Sequence, residues 1–79
     1  MQTQRTFHIR YTTDDGTPAD RRVVGIDSAQ RIAVRTANKH GRAIMKELDA
    51  DGFAVGSRHY GALGFFESGT LKHVPFYAK

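Results

Sequence analysis

The segment DSAQRIAVRTANKHG, residues 27–41, is the clearest helical pattern in this sequence and the feature that most restricts the possible folds of the chain. Its small and apolar residues recur at the i, i+3, i+4, i+7 and i+8 spacing that aligns side chains along one side of a helix. These residues are Ala29, Ile32, Ala33, Thr36 and Ala37. Because the alanines are small, this side of the helix can lie close to a sheet. The segment therefore predicts an amphipathic helix packed across strands.

The two ends of the segment fit helix boundaries. Asp27 or Ser28 is expected as the N-cap, and with Asp27 in that position Gln30 completes an approximate capping box. Gly41 fits the position just after the last helical turn, where the backbone needs a positive φ. We therefore expect a helix that is capped by Asp27 or Ser28 and stops before Gly41.

Two strands are predicted before the helix. Residues 6–12, TFHIRYT, alternate aromatic or aliphatic residues with polar ones, which is the period of a strand with one buried face. The next segment, DDGTPAD, is dense in Asp, Gly and Pro and predicts a turn or exposed loop. Residues 21–26, RRVVGI, then fit an antiparallel strand in which Gly25 is a candidate bulge.

The segment after the helix allows two interpretations. The apolar residues of AIMKEL, residues 43–48, fit either a continued helix or the first strand of a hairpin. We favour the hairpin, because Gly41 stops the helix and the pair Asp51-Gly52 is a strong turn signal.

The C-terminal part is expected to add strands to the sheet. In the strand after the turn, one face should carry Phe53 and Val55 and the other Ala54 and Gly56. Residues 71–77, LKHVPFY, fit an edge strand, where Pro75 is tolerated. Together the patterns predict one small α+β domain over residues 1–79. It has a single helix packed on an antiparallel sheet of four to five strands, in the order β-β-α-β-β(-β).

Length and composition restrict the classes of function. A chain of 79 residues buries only about 60–65% of the surface it exposes when unfolded, so a deep enzyme pocket is not expected. Without cysteine there is no disulfide and no thiolate metal site. The N-terminus, MQTQRTFHIRY, has no hydrophobic segment of signal-peptide length. We therefore expect a soluble, intracellular monomer that does not contact a membrane.

The charge balance favours an anionic partner. Twelve Lys and Arg residues against eight Asp and Glu residues give a formal net charge of +4 and a pI near 9.9. Eight of the twelve basic residues are Arg, which suits bidentate contacts with carboxylates or phosphates.

Two groups of residues are the candidate partner-binding sites. The side of the helix opposite its buried stripe carries Gln30, Arg31, Arg35, Asn38 and Lys39, with Arg42 just beyond. A second patch is formed by Arg58, His59 and Tyr60, which mix charge with aromatic surface as binding sites often do. The alternative for the first group is a solvated helix face, and for the second an exposed hairpin end.

The sequence offers little support for catalysis or metal binding. The four histidines, His8, His40, His59 and His73, match no compact ligand spacing. The three serines, Ser28, Ser57 and Ser68, stand in no nucleophile-elbow context, and the glycine-rich segment GALGFFESG lacks a phosphate-binding fingerprint. We therefore expect no metal, no cofactor and no catalytic residue.

One enzyme-like alternative rests on a resemblance. The segment ELDADGFAVGSRHYGALGFF, followed by LKHVPF, faintly resembles the HicA-type toxins, which are small basic RNases. That resemblance implies that His59 is the catalytic histidine and that the basic residues hold RNA phosphates.

The order of elements and the helix sequence resemble a different family. The run AQRIA at 29–33, followed by His40-Gly41, a strand, the Gly52 turn and an aromatic-led strand at Phe53, looks like small phage anti-CRISPR proteins. The similar proteins inhibit type I Cascade, and the type I-F inhibitor has the order β-β-α-β-β-β. The resemblance implies a non-enzymatic inhibitor, acting in the cytoplasm of a phage-infected or prophage-bearing bacterium.

The same resemblance implies a partner and a mechanism. The similar inhibitors bind the crRNA-guided Cascade ribonucleoprotein at backbone Cas7 subunits and sterically block target DNA, and some promote nonspecific DNA binding. Arg31 matches the family's basic helix residue, and Arg35 roughly matches a second one a turn later. The positive charge argues against a DNA mimic, because such a mimic is acidic. A small basic nucleic-acid-binding module, with or without RNase activity, remains the alternative.

Overall fold

The predicted strands pair into one antiparallel sheet, with the helix on one side of it. This architecture is seen in a computed structural model that describes residues 5–61 and 66–74. In chain order the elements are β1 (Thr6–Thr12), β2 (Pro18–Val24), α1 (Ile26–His40), β3 (Arg42–Leu48), β4 (Ala54–Gly61), β5 (Glu67–Gly69) and a 3-10 helix (Thr70–His73). The predicted α+β class and the order β-β-α-β-β-β are confirmed.

The sheet has five strands, with β1 and β3 near its middle. The strand order is β2-β1-β3-β4-β5, and all neighbours are antiparallel. In the central rows, Phe7 of β1 lies opposite Val23 of β2 on one side and Glu47 of β3 on the other. Because β1 and β3 are neighbours while α1 lies between β2 and β3 in the chain, the helix crosses the sheet.

The hydrophobic core lies between α1 and the sheet. Phe7 and Ile9 of β1 have no exposed surface, as the alternating pattern predicts. The buried apolar residues are Phe7, Ile9, Val23, Ala29, Ala33, Val34, Ala37, Ala43, Met45, Tyr60 and Leu71. Among the described elements, α1 and the 3-10 helix both pack on this face of the sheet.

The buried side of α1 is rotated from the predicted one. The three alanines of the stripe are buried, but Ile32 and Thr36 are only half-buried. Gln30 and Val34 are buried instead. The prediction that Gln30 lies on the exposed face is wrong, because its side chain accepts a hydrogen bond from Arg58 beneath the helix.

The N-terminus of α1 also differs from the prediction. The helix begins at Ile26, and its N-cap is Gly25, two residues before Asp27, the earlier of the two predicted caps. Gly25 has φ 96° and makes no side-chain hydrogen bond. Asp27 and Ser28 therefore lie within the first turn rather than at the cap. Gly25 is not a bulge. Its N–H donates to the Arg5 carbonyl at 2.7 Å, and this hydrogen bond holds the start of the helix next to the first residue of β1.

Gly41 ends the helix, and the segment after it is a strand, as the favoured interpretation predicts. Gly41 has φ 92° and donates its N–H to the Ala37 carbonyl at 2.8 Å.

A turn joins β3 to β4. In this turn the Asp49 carboxylate accepts hydrogen bonds from the backbone N–H groups of Asp51 and Phe53, each at 2.9 Å. Phe53 was predicted in the strand but lies in this turn and is 70% exposed.

β2 begins earlier than predicted, because the turn before it is short. The expected strand covered 21–26, whereas β2 is Pro18–Val24. The N–H of Thr13 donates to the Thr17 carbonyl at 2.9 Å, so the turn closes over few residues. Hydrogen bonds from the Thr13 hydroxyl and from Thr17 to the Asp15 carboxylate lower the pKa of Asp15 and keep it charged.

The C-terminal segment differs most from the prediction. The expected edge strand over 71–77 is wrong for 71–73, which belong to the 3-10 helix, and β5 occupies the sheet edge instead. Pro75 and the residues after it lie outside the described part. In β4, Val55 is exposed while Gly56 is buried against the 3-10 helix, so these two residues face opposite sides as expected. A register shift pairs Ala54 with Leu48 and Gly56 with Glu47, so the prediction that Ala54 and Gly56 share one face is wrong.

Candidate functional site

The basic residues predicted on the helix are accessible. We call the exposed side of α1 the helix face; it carries Arg31, Arg35, Asn38 and Lys39, all exposed. None of the three cations forms an ion pair with another residue of 5–61 or 66–74. Arg42 is also exposed but is the first residue of β3, so it does not belong to the helix face.

A shallow cleft extends the helix face toward β2. It is lined by Tyr11, Arg21, Arg35, Thr36, Lys39 and His40. The His40 ring stacks on Tyr11 with 5.1 Å between ring centroids, and its Nδ1 lies 3.2 Å from the Asp14 carboxylate. Arg21 adds a third arginine to this side, where it faces the helix rather than the opposite side of the sheet.

The second predicted patch is not a surface. Arg58 is 0% exposed and Tyr60 is 4% exposed, so neither side chain lies on the exposed patch that was predicted for them. Strand alternation places both side chains under the helix and turns His59, which lies between them, to the other side of the sheet. Burial raises the pKa of the Tyr60 hydroxyl, and the neighbouring Arg58 only partly offsets this effect.

Arg58 instead holds the C-terminal segment onto the sheet. Its guanidinium donates to the Glu67 carboxylate at 2.8 Å, to Gln30 Oε1 at 2.9 Å and to the Leu71 carbonyl at 2.8 Å. It also donates to the carbonyl of Val74. A buried charge with this many acceptors is satisfied, which gives Arg58 a structural role.

The side of the sheet opposite the helix carries a basic surface that was not predicted from the sequence. We call it the open sheet face, because no described helix packs on it. Its strand residues include Thr6, His8, Arg10, Thr12, Pro18, Asp20, Arg22, Val24, Arg42, Ile44, Lys46, Leu48, Ala54, Ser57, His59, Gly61 and Ser68. Four of these side chains are Arg or Lys and one is a carboxylate, so the surface is strongly positive.

The strand register places the charges in adjacent rows. In one row Arg22, His8 and Lys46 lie directly opposite one another on β2, β1 and β3. In the next row, Arg10 lies between Asp20 and Ile44. The carboxylate of Asp20 lies 3.2 Å from His8 Nε2, so the one acidic side chain of this face is engaged by a neighbour.

Two aromatic rings meet at the β5 end of the open sheet face. His59 and Phe66 make an edge-to-face contact, with 5.4 Å between ring centroids and 64° between planes. The N–H of His59 donates to the carbonyl of Phe66 at 2.8 Å, which fixes the backbone beneath the rings. Phe66 is nevertheless 55% exposed, so an apolar ring stands open beside the cations.

The other predicted site chemistry is dispersed over the fold. His8, His40 and His59 lie in three separate places, and the side chain of His73 lies outside the described part. Residues 5–61 and 66–74 contain no group of three or more His, Asp or Glu side chains arranged to hold a metal ion. Ser57 shares a 2.9 Å hydrogen bond with the hydroxyl of Ser68.

Comparisons with known proteins place no constraint on the function: no family model, no curated protein and no solved structure matches this chain. Within the described residues, no helix is long and apolar enough to cross a membrane.

The alternation of residues in two strands already indicated part of the open sheet face. In β1 the buried Phe7 and Ile9 alternate with His8 and Arg10, which lie on the opposite face of the sheet. Lys46 likewise alternates with buried residues of β3. Only the strand order brings these residues together, because β1 and β3 are distant in the chain and adjacent in the sheet.

Proposed function

We propose that this protein binds nucleic acid through its open sheet face. The observation that carries this proposal is the concentration of Arg10, Arg22, Arg42 and Lys46 on one side of the sheet, against the single carboxylate of Asp20. Such a surface attracts phosphates, and cations that neutralise phosphates gain affinity by releasing counterions. The exposed Phe66 ring adds a surface for contacts with bases.

The helix side supplies a matched control for this proposal. Arg10→Gln/Lys46→Gln removes two charges from the open sheet face, and Arg31→Gln/Arg35→Gln removes the same two charges from the helix face. Both double variants have the same net charge, so a difference between them depends on position rather than on total charge.

Binding is measured by fluorescence anisotropy with labelled RNA and DNA oligonucleotides over a series of salt concentrations. We expect the Arg10/Lys46 variant to bind at least about tenfold more weakly, with a log-affinity against log-salt slope shallower by about 1.4 for single strands. The Arg31/Arg35 variant should bind nearly as the wild type does. Equal losses in both variants, or no binding by the wild type, would contradict the proposal.

A second candidate function is inhibition of type I Cascade. The observation that favours it is the accessibility of Arg31, Arg35 and Lys39 on the helix face, with no ion pair inside the described part of the chain. On this proposal the helix face binds a Cascade subunit, such as a backbone Cas7 subunit, and sterically blocks target DNA.

The same two double variants test this candidate, with the opposite expectation. Target-DNA binding is measured with purified type I Cascade complexes of several subtypes, with and without the protein. We expect the wild type and the Arg10/Lys46 variant to inhibit target-DNA binding and to co-elute with Cascade. The Arg31/Arg35 variant should lose both properties. Unaffected Cascade across all subtypes would remove this candidate.

Catalysis is tested in the same samples. The proposed protein is a binding protein, so RNA should remain intact during prolonged incubation. Cleavage by the wild type but not by His59→Ala would instead favour the RNase alternative.

A further inference from the structure

We infer that the open sheet face takes single-stranded rather than duplex nucleic acid, with a base stacked on Phe66 beside His59. This inference rests on the proposed function and specifies the form of its ligand. Three properties of the face carry it: its width, its exposed ring and the position of its cations.

The first property is the width of the face. Adjacent strands lie about 4.8 Å apart, so a sheet of five strands is about 19 Å across. The major groove of a DNA duplex is only about 12 Å wide, and it admits a helix or a two-stranded ribbon. A five-stranded sheet therefore cannot enter the groove to read bases. A single strand has no such restriction, because its bases can lie flat on the sheet.

The second property is the exposed ring of Phe66. Bases of any sequence stack on aromatic side chains, and a duplex hides those base surfaces within its own stack. Phe66 is 55% exposed although one part of its ring contacts His59. His59 is half-buried and thus supports the Phe66 ring from the side of the sheet.

The third property is the position of the cations relative to the rings. Arg10, Ile44 and His59 occupy one row across β1, β3 and β4, so Arg10 lies two strands, about 10 Å, from His59. Lys46 lies in the neighbouring row, on the strand between them. A nucleic-acid backbone that runs across the sheet from β5 toward β2, with one base stacked on Phe66, would therefore pass Lys46 and then Arg10.

The stacking position is fixed from the buried side of the sheet. Glu67, the residue after Phe66, accepts a 2.8 Å hydrogen bond from the buried Arg58 guanidinium. The hydroxyls of Ser57 and Ser68 join β4 and β5 on the open side at 2.9 Å. Arg58 is thus a positioning residue for the ring, because it holds the start of β5 in register with β4.

The chain offers a direct optical test, since it contains no tryptophan. Phe66→Trp introduces a single indole at the proposed stacking position, and Phe53→Trp introduces one in the β3–β4 turn, where the ring is also exposed. Each variant is titrated with an unstructured single-stranded RNA, the matching single-stranded DNA, and the duplex of the same sequence. Stacking of a base on the indole quenches its fluorescence.

We expect the fluorescence of Phe66→Trp to be quenched by either single strand and to change little with the duplex. The fluorescence of Phe53→Trp should not change with any of the three. Phe66→Ala should weaken single-strand affinity about tenfold without changing the salt slope, because it removes stacking but no charge. Phe53→Ala should leave affinity unchanged. Tighter binding of one of the two single strands would identify whether the natural ligand is RNA or DNA.

Failure of this inference is distinguishable from failure of the proposed function. Duplex binding equal to or tighter than single-strand binding, or an unchanged affinity in Phe66→Ala, would overturn the single-strand inference and leave nucleic-acid binding intact. Absence of binding to all three oligonucleotides would overturn both. Circular dichroism of each variant confirms that a loss of affinity is not a loss of fold.

Discussion

At the scale of single residues, Arg58 is the clearest case of chemistry that depends on burial. The same guanidinium that would bind a partner on a surface is here enclosed between α1, β5 and the 3-10 helix. Its charge is balanced by Glu67, whose side chain is only 23% exposed. A buried charge that loses its partners is costly, so this pair is tied closely to the folded state.

Arg58→Ala is therefore expected to destabilise the protein strongly. The substitution removes the buried guanidinium that donates to the carboxylate of Glu67 and to Gln30 Oε1, which should lower the free energy of unfolding by about 3–5 kcal/mol. Arg10→Ala, which removes an exposed arginine from β1, should change it by less than about 0.5 kcal/mol. Urea denaturation measures both. Equal stability of the two variants would show that Arg58 is not structural.

At the scale of elements, Glu47 of β3 joins both ends of the described chain to the sheet. Arg5, just before β1, donates to its carboxylate from Nε at 2.7 Å and from a terminal nitrogen at 2.6 Å. The Thr70 hydroxyl of the 3-10 helix donates to it at 2.7 Å. The hydrogen bonds from Arg5, and then from Thr70, hold the pKa of Glu47 below its ordinary value, although burial opposes them.

This lowered pKa predicts a pH-dependent contribution to stability. The folded state favours the charged form, so the contribution is fully present above the pKa of an unfolded glutamate and is lost as pH falls through the folded value. Glu47→Gln should be less stable than the wild type at pH 7, by about 1–2 kcal/mol, and the difference should shrink as the solution is acidified.

Thermal unfolding followed by circular dichroism from pH 7 down to about pH 2.5 measures this difference across the range where glutamates titrate. Asp51→Asn, in the exposed β3–β4 turn, is the control and should change stability by less than about 0.5 kcal/mol. A gap between Glu47→Gln and wild type that stays constant or widens on acidification would contradict the role given to Glu47.

At the scale of the whole molecule, the sheet separates two cationic surfaces. The helix face carries Arg31, Arg35 and Lys39, and the open sheet face lies on the other side of the core. A flat partner can therefore engage one surface without touching the other. For this reason the nucleic-acid proposal and the Cascade proposal make opposite predictions for the same two double variants.

Patterns local in the chain predicted most of the fold. The alternation in β1 identified Phe7 and Ile9 as core, and the helical spacing found α1 together with its end at Gly41. These predictions hold because alternation and helical spacing are set by backbone geometry. Errors arose where a boundary depends on a distant contact, as at Gly25, whose hydrogen bond to Arg5 helps set the start of α1.

The candidate site was less predictable than the fold. The exposure of Arg31, Arg35 and Lys39 followed from helical spacing, whereas the roles of Arg58 and Tyr60 did not follow from their chemistry. Polar and aromatic residues near a hairpin end suit either a surface or a buried network, and only the partners around them decide which.

By itself, then, the sequence determined the α+β class, the order of elements, the central core residues and a positive net charge, because each depends on residue type and on spacing along the chain. Only the tertiary structure decided which face each cation occupies and which cations lie together. The physical reason is strand pairing: Arg10 and Lys46 are 36 positions apart in the chain, yet hydrogen bonds between β1 and β3 place them in neighbouring rows of one surface.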